Sequence, residues 1–395
     1  MKFAPYVLKH LRRNWLRTMS TVLGMALCVF LICTLQTVLA AMDENIRSAN
    51  PDRVAVRHAV SIVFNMPYAY RARIAAVPGV KRVTPFIFFG GLLGSSSQDF
   101  ANFFANFAVD PETFFAMYPE YEVPPDQWEA FLSDRRGVII GRDLANKFGW
   151  HVGSTFQLTS FIPYYQGPRP FEFIVKGIFA PDRSRYPGTN ELQMFFQFDY
   201  LMESTRRRAG VGMYMVQVAD PAQAARVARA IDDGFENSDV QTKTESEAAF
   251  RQSFAEMAGN LVVLLNGIGL AVAFTVLLVT ANTMSMAVRE RRTEIAVLKT
   301  LGFSSARVMG LILAEAAVLS VSAGALGVGL AHITVTHLAD VPFLGAVVGQ
   351  FPPLHLSGPL AGSMFGLAVG LGLAAGAVPA WGAYRARIVD TLRAA

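Results

Sequence analysis

Residues 289–315 read R-E-R-R-T-E-I-A-V-L-K-T-L-G-F-S-S-A-R-V-M-G-L-I-L-A-E, and what flanks them decides the fold. Upstream, the 32 residues 257–288 contain no Asp, Glu, Lys or Arg. A helix needs roughly 20 apolar residues to cross a bilayer core, so this run is long enough to span one. Downstream, residues 308–336 form another apolar run. The stretch between carries Arg289, Arg291, Arg292, Lys299 and Arg307 against Glu290 and Glu294, which places it on the cytoplasmic side. Ile295, Val297, Leu298 and Leu301 supply apolar positions at helical spacing, and Gly302 is placed to end a short helix. Such a helix, charged and with exposed apolar residues, suits docking to a cytoplasmic partner. The alternative is a solvated basic loop that merely obeys the positive-inside rule.

Composition agrees with a membrane protein. Of 395 residues, 52% are hydrophobic and only 16% charged, against about 25% charged in soluble domains. The net charge of +5 follows from basic residues at the ends of the spans, which meet lipid headgroups. No aromatic-interleaved basic patch or finger spacing occurs, so nucleic acid is not an expected partner and membrane lipids are. The two cysteines, Cys28 and Cys33, sit on one apolar helix and are not expected to pair with each other.

In chain order, residues 1–17 carry Lys2, Lys9, Arg12, Arg13 and Arg17 with no acid and predict an amphipathic helix at the inner headgroups. Residues 18–42 give 25 uncharged residues for the first span. That run exceeds the ~7–15 apolar residues of a signal peptide's core and is expected to be retained. Residues 43–256 change in character to alternating strands and short helices, outside the cytoplasm by the same charge rule. Strands are expected at 54–60, 80–89, 171–179, 192–198 and 212–219. Helices are expected at 68–77 and 221–235, and residues 137–158 read strand, helix, turn, strand. Residues 240–254 read as the helical exit toward the membrane. Phe100, Phe103, Phe104, Phe107, Phe114 and Phe115 form a stripe that reads as core, or else as a surface for lipid or apolar cargo. A Pro-rich loop is expected at 118–126.

The remaining spans are 257–288, 308–336 and 357–380, separated by the coupling segment 289–307 and an external loop at 337–356, with a cytoplasmic tail at 381–395. Glu315 lies inside the third span, where a carboxylate either faces the bundle or snorkels to the interface. His332, His337 and Asp340 lack metal-ligand spacing and read as polar interface residues. Gly358, Gly362, Gly366 and Gly370 recur every fourth residue, a stripe that lets another helix approach, within or between subunits. The fold class is thus four spanning α-helices, both termini inside, with a large α+β extracytoplasmic domain between the first and second spans.

The segment R-E-R-R-T-E-I-A-V-L-K-T-L-G-F-S resembles the signature E-R-x-x-E-I-G-x-x-x-A-x-G-A of the MacB/FtsX/LolC-type ABC transporter permeases, with Ala296 where the family has Gly. Four further stretches resemble the same family. They are L-R-R-N-W-L-R-T-M-S-T-V-L-G near the N-terminus, M-P-Y-A-Y-R-A-R-I-A-A-V-P-G-V at 66–80, the G-V-I-I-G-R-D-L-A-N-K-F-G module from 137, and the ending P-A-W-G-A-Y-R-A-R-I-V-D-T-L-R. The last lacks the family's usual Pro at 388–390.

The resemblance implies an FtsX-like permease with a MacB-like periplasmic core domain, split into subdomains 43–95 with 205–256 and 96–204. It implies that Glu290, Arg291, Arg292, Glu294, Ile295, Leu298, Lys299, Leu301 and Gly302 couple to a separate cytoplasmic ABC ATPase, which would bind the ATP and Mg. A second permease copy or paralogue and a periplasmic membrane-fusion protein are the other implied partners. The sequence has no G-x-x-x-x-G-K-[ST], H-E-x-x-H or G-x-S-x-G, so no catalytic, cofactor or metal residue is nominated and the chain is not expected to be an enzyme. Export or extraction of a hydrophobic, peptide or lipid-type substrate is the expected role. The alternatives are an FtsX-type relay to a cell-wall hydrolase and LolC/LolE-type lipoprotein release.

Overall fold

Strands β5 (Gly137–Gly141) and β8 (Gln193–Gln197) carry V-I-I and M-F-F, unbroken apolar runs that require burial on both faces of a sheet. The computed structural model, which describes residues 15–94, 103–167, 169–186, 189–206, 210–257, 259–337 and 354–385, supplies both faces. Val138, Ile140, Met194 and Phe196 enter one core, while Ile139 and Phe195 enter another on the opposite side. The same period-2 division sends Val54 and Val56 one way and Ala55 the other in β1 (Arg53–His58), and it separates Tyr214 and Val216 from Met215 in β9 (Met213–Val218).

Ten strands among the described residues form one mixed sheet in the order β10-β1-β9-β2-β4-β8-β5-β7-β6-β3. The others are β2 (Val80–Phe88), β3 (Gly91–Leu93), β4 (Ala105–Val109), β6 (Thr155–Ser160), β7 (Phe171–Phe179) and β10 (Thr242–Ser246). Pairing is antiparallel except for β4 with β8 and β5 with β7. The four strands at one end come from the two ends of the domain's sequence, and those at the other end from its middle. β3 is at the far edge on β6, so the chain crosses between the two groups before residue 91 and not at 95.

Helices line both faces. On the first are α2 (Tyr70–Ala75), α5 (Arg142–Phe148), α6 (Phe198–Ser204) and α7 (Ala224–Phe235); on the second are α3 (Pro111–Met117) and α4 (Pro125–Ser133). In α7, Val227, Ala228, Ile231 and Phe235 fall on one stripe and are buried, as an amphipathic surface helix requires.

Several expected elements differ. The phenylalanine stripe is not one element but β4 followed by α3, started by Asp110, whose carboxylate accepts from Thr113 N, and by Pro111 at the first helical position. Phe103, Phe104 and Phe114 are core, and Phe107 and Phe115 are partly buried; Phe100 lies outside the described residues. The loop expected at 118–126 yields to α4 at Pro125. Residues 242–246 are strand β10 before helix α8 (Glu247–Met257), because Thr242 and Thr244 pair with β1 and their hydroxyls donate to Asp232. The helix expected at 68–77 is confined to α2.

Two compact units divide the chain: a helical bundle (residues 1–39, 259–336 and 355–395) and a head (residues 40–258 and 337–354). The bundle's long helices are α1 (Trp15–Arg47), α9 (Gly259–Glu290), α11 (Ser305–His337) and α12 (Gly358–Arg385), all long and apolar enough to span a membrane. Each runs past its apolar stretch because the helical hydrogen-bond ladder continues into polar sequence; α12 carries Pro379 internally and is helical through Arg385, past the expected 380. Residues 1–14 of the amphipathic helix expected at 1–17, most of the loop 337–356 with Asp340, and the tail beyond Arg385 lie outside the described residues, while Trp15–Arg17 begin α1.

Candidate functional site

The stretch after α9 forms α10 (Arg292–Thr300), and Gly302 at φ +92° ends it. Gly302 N–H donates to Lys299 O and Phe303 N–H to Leu298 O, a paired closure that needs a left-handed residue and so favours glycine. One face of α10 is spent inside the bundle. Ile295 and Ala296 are buried, Ile295 among Met284, Val308, Ile312 and Ala380, and Lys299 Nζ donates to Ala383 O in the last turn of α12 at 2.9 Å. An ammonium there meets the negative end of that helix, and burial lowers the Lys299 pKa from its ordinary value.

The opposite face is open. Thr293, Val297 and Leu301 recur at i, i+4, i+8, with Val297 47% and Leu301 72% exposed. Of the nominated coupling residues, Ile295 is therefore a packing residue, while Leu301, Gly302 and Arg292 are on the surface. Val297, absent from that set, is exposed because it lies two positions from the buried Ile295, a phase that helical spacing alone leaves undetermined.

Two of the nominated charges, Glu290 and Arg291, are also committed within the bundle. Glu290 accepts both Arg17 guanidinium nitrogens at 2.6 and 2.7 Å, and Arg291 grips Glu315 through two bonds of 2.7 and 3.0 Å. Glu315 thus faces the bundle and does not snorkel; its side chain is 15% exposed. Arg17, Arg291 and Glu315 line a cavity of about 40 Å³ with Thr18 and Thr21, room for a few waters and not for a cargo. The two forks link α1 to α9, and the end of α9 to α11.

Close helix contacts occur at glycines other than the nominated stripe. Within the protomer, Gly358, Gly362, Gly366 and Gly370 have open space where a Cβ would stand. Gly372 packs onto Ser320, and a Cβ at Gly376 would lie 2.7 Å from that of Ala316. Among the described residues, then, α12 meets α11 a half-turn away from the predicted stripe. His332 and His337 belong to no group of metal-binding residues among those described.

In the head, a buried charge network that no local sequence pattern marks lies where the chain enters and leaves. Arg53 on β1 donates to both Glu120 oxygens at 2.7 and 2.9 Å, lies 3.6 Å from Glu247, and stacks 4.0 Å from the Tyr118 ring centre. Burial opposes its charge, but the hydrogen bonds to Glu120 and the charges of Glu247 and Glu120 outweigh that and raise its pKa. Arg251 of α8 donates to Glu247 at 2.7 Å and to Asn45 O at 2.6 Å, and Asn50 N–H donates to Glu247. The network ties the C-terminal turn of α1 to the exit helix α8.

A cavity of about 510 Å³ lies over the second face of the sheet, on β9, β2 and β4 and beside Phe250 of α8. Phe86, Phe88, Ala105, Phe107 and Met213 form its floor by period-2 spacing, and Ile62, Val63, Phe161, Ile162 and Phe250 wall it. Its polar groups are Asn65, Tyr165, Asn190 and Gln193. Burial pushes the Tyr165 phenol up to about 12, so it stays protonated and donates to Asn65 Oδ1 at 2.9 Å. Asn65 Nδ2 is buried with no acceptor. A second cavity of about 490 Å³, polar and bearing Arg185 and Arg251, shares Phe107, Asn190 and Gln193 with the first.

Residues 18–233 match the MacB-like periplasmic core domain family, and residues 266–388 match the FtsX-like permease C-terminal family. No match was found among curated proteins. Three solved structures resemble part of the chain. The periplasmic region of MacB from Actinobacillus actinomycetemcomitans has 10% identity and a TM-score of 0.39, covering 54% of this chain and 97% of that one. The extracellular domain of the noncanonic ABC-type transporter YknZ from Gram-positive bacteria has 13% identity and a TM-score of 0.35, covering 49% and 98%. A domain of a putative permease protein from Porphyromonas gingivalis has 15% identity and a TM-score of 0.34, covering 49% and 90%. The two family matches together take in the first span, most of the head and of the second span, the short helix α10 and the last two spans, and the chain belongs to the MacB/FtsX-type ABC transporter permeases, multi-pass proteins of the bacterial inner membrane.

Proposed function

We propose that this chain is the permease subunit of an ABC transporter, taking the stroke of a separate cytoplasmic ATPase at α10 and delivering it to the periplasmic head to move an apolar cargo outside the bilayer. The observation that carries this reading is the division of α10 into a pinned face and an open apolar one. Ile295, Lys299 and the Gly302 closure fix the helix to the bundle, so force applied at Val297 and Leu301 is passed on and not absorbed. The cavity beside Glu315 is too small for cargo, which favours mechanical transmission over passage through these spans. The Arg53–Glu120–Glu247–Arg251 network joins the head's entry to its exit and suits it to respond as one body. In this reading two permease copies, or this chain and a paralogue, engage two ATPase subunits, with Gly358, Gly362, Gly366 and Gly370 free for a contact between copies.

The test is co-purification of the ATPase from membranes. Val297→Glu with Leu301→Glu puts two carboxylates into the apolar contact, and recovery of the ATPase is expected to fall at least tenfold while the permease stays folded. Undiminished recovery and undiminished permease-stimulated ATP hydrolysis would refute the assignment.

A further inference from the structure

The cavity over β9, β2 and β4 has the size of a ligand site, about 510 Å³, within the roughly 300–1,000 Å³ typical of pockets that enclose a small molecule. Its floor and walls are mainly phenylalanine, isoleucine and methionine, and none of its lining residues is ionisable at neutral pH. An ionised group placed there would lose its hydration with no opposite charge to meet, so the part of a ligand that enters must be neutral. One polar demand remains. Asn65 Oδ1 accepts from Tyr165, and Nδ2 is a buried donor without an acceptor. A donor in that state costs the empty protein, and a carbonyl oxygen would relieve it. The segment beside the cavity exposes Val60, Val63 and Phe64, an apolar lip of the kind that marks an interaction surface. The adjoining polar chamber with Arg185 has room for a hydrated remainder.

From this geometry we propose that the head binds an acyl ester lipid, its hydrocarbon chain lying on Phe86, Phe88 and Phe107 and its neutral ester carbonyl accepting from Asn65 Nδ2. The assignment rests on the proposed movement of apolar cargo only for what the binding serves, since binding itself requires no ATPase. Gly212 offers a direct way to close the site. A Cβ there would make ordinary contacts of 3.7–3.9 Å with Tyr165, Phe86 and Asn65, so a larger side chain grows into the cavity.

The experiment uses the purified full chain without ATPase. One arm holds it in nanodiscs containing phosphatidylglycerol with a diazirine on one acyl chain; the other holds it in amphipol and supplies diazirine-bearing monoacylglycerol or the corresponding fatty acid. Peptide mapping after illumination is expected to find adducts at residues 61–65, 161–165 or 213 with the esters. The nanodisc arm reports lipid drawn from a bilayer, and the amphipol arm a lone ester from solution. Gly212→Leu should reduce head labelling at least tenfold, and Asn65→Leu should raise the half-saturating monoacylglycerol concentration roughly tenfold. If Gly212→Leu lowers the thermal midpoint, Ile62→Trp fills the same space from the loop. Labelling confined to the spans, head labelling unchanged in a folded filled variant, or fatty acid labelling as strong as that of the ester would overturn the proposal. Uncoupling of ATPase by the α10 variants would leave these results untouched, so the two readings fail separately.

Discussion

Replacing Arg53 with Met tests how the head is held together at its root. The Arg53 side chain is 3% exposed and Glu120 11%, so the substitution removes one partner of a buried, doubly hydrogen-bonded pair. Breaking such a pair costs about 3–5 kcal/mol, mostly from the charge left behind. Glu247 keeps Arg251 at 2.7 Å, so Glu120 alone is orphaned and the lower end of that range is expected. In a domain of this size 1 kcal/mol shifts the midpoint by about 2–4 °C, giving a fall of about 6–12 °C. Trp128 and Trp150 belong to the head, so thermal unfolding followed by tryptophan emission in nanodiscs reads it. Adding Glu120→Leu should recover most of the loss, because an apolar pair of similar size is tolerated where a lone carboxylate is not. A single-variant shift below 2 °C, or losses that simply add in the double variant, would refute the argument that Arg53 and Glu120 compensate each other.

Gly372→Val and Gly376→Val should destabilise the bundle by about 1–3 kcal/mol through overpacking against Ser320 and Ala316, while Gly362→Leu should leave a lone protomer's midpoint unchanged. Thermal scans, with cross-linking to count copies, separate the protomer contact from one between copies. Glu315→Ala strands the half-buried Arg291 guanidinium, and a loss of about 2–4 kcal/mol is expected, whereas Glu315→Gln keeps an acceptor and should cost less; denaturation in mild detergent ranks them. Alkaline titration should weaken the head. The Tyr165 pKa is raised from about 10 to about 12 by burial, so its contribution is full below pH ~10 and lost as pH rises toward 12. Melts between pH 9 and 12 should therefore slope downward, and less steeply in Tyr165→Phe.

Four spans, the basic segment after the second, and an external domain after the first were legible in the chain because each depends on local composition. A long uncharged run must form a helix in lipid, and basic residues mark its cytoplasmic end, whatever packs nearby. Most strands were legible for the same reason, since apolar runs such as V-I-I and M-F-F have few other uses. Phase and partner were not. Whether Ile295 or Val297 faces outward is a rotation of about 200° on one short helix, set by where Met284, Val308 and Ile312 stand to receive a side chain. The glycine stripe at 358–370 and the contacts at Gly372 and Gly376 have the same composition, and only the position of α11 distinguishes them. Arg53, Glu120 and the i, i+4 pair Glu247–Arg251 are far apart in sequence and individually ordinary; the fold brings them together, and burial then makes their pairing obligatory. The apolar cavity likewise exists because β9, β2 and β4 lie side by side next to Phe250 and the segments carrying Ile62 and Phe161, an outcome of strand order that no single stretch of the chain encodes.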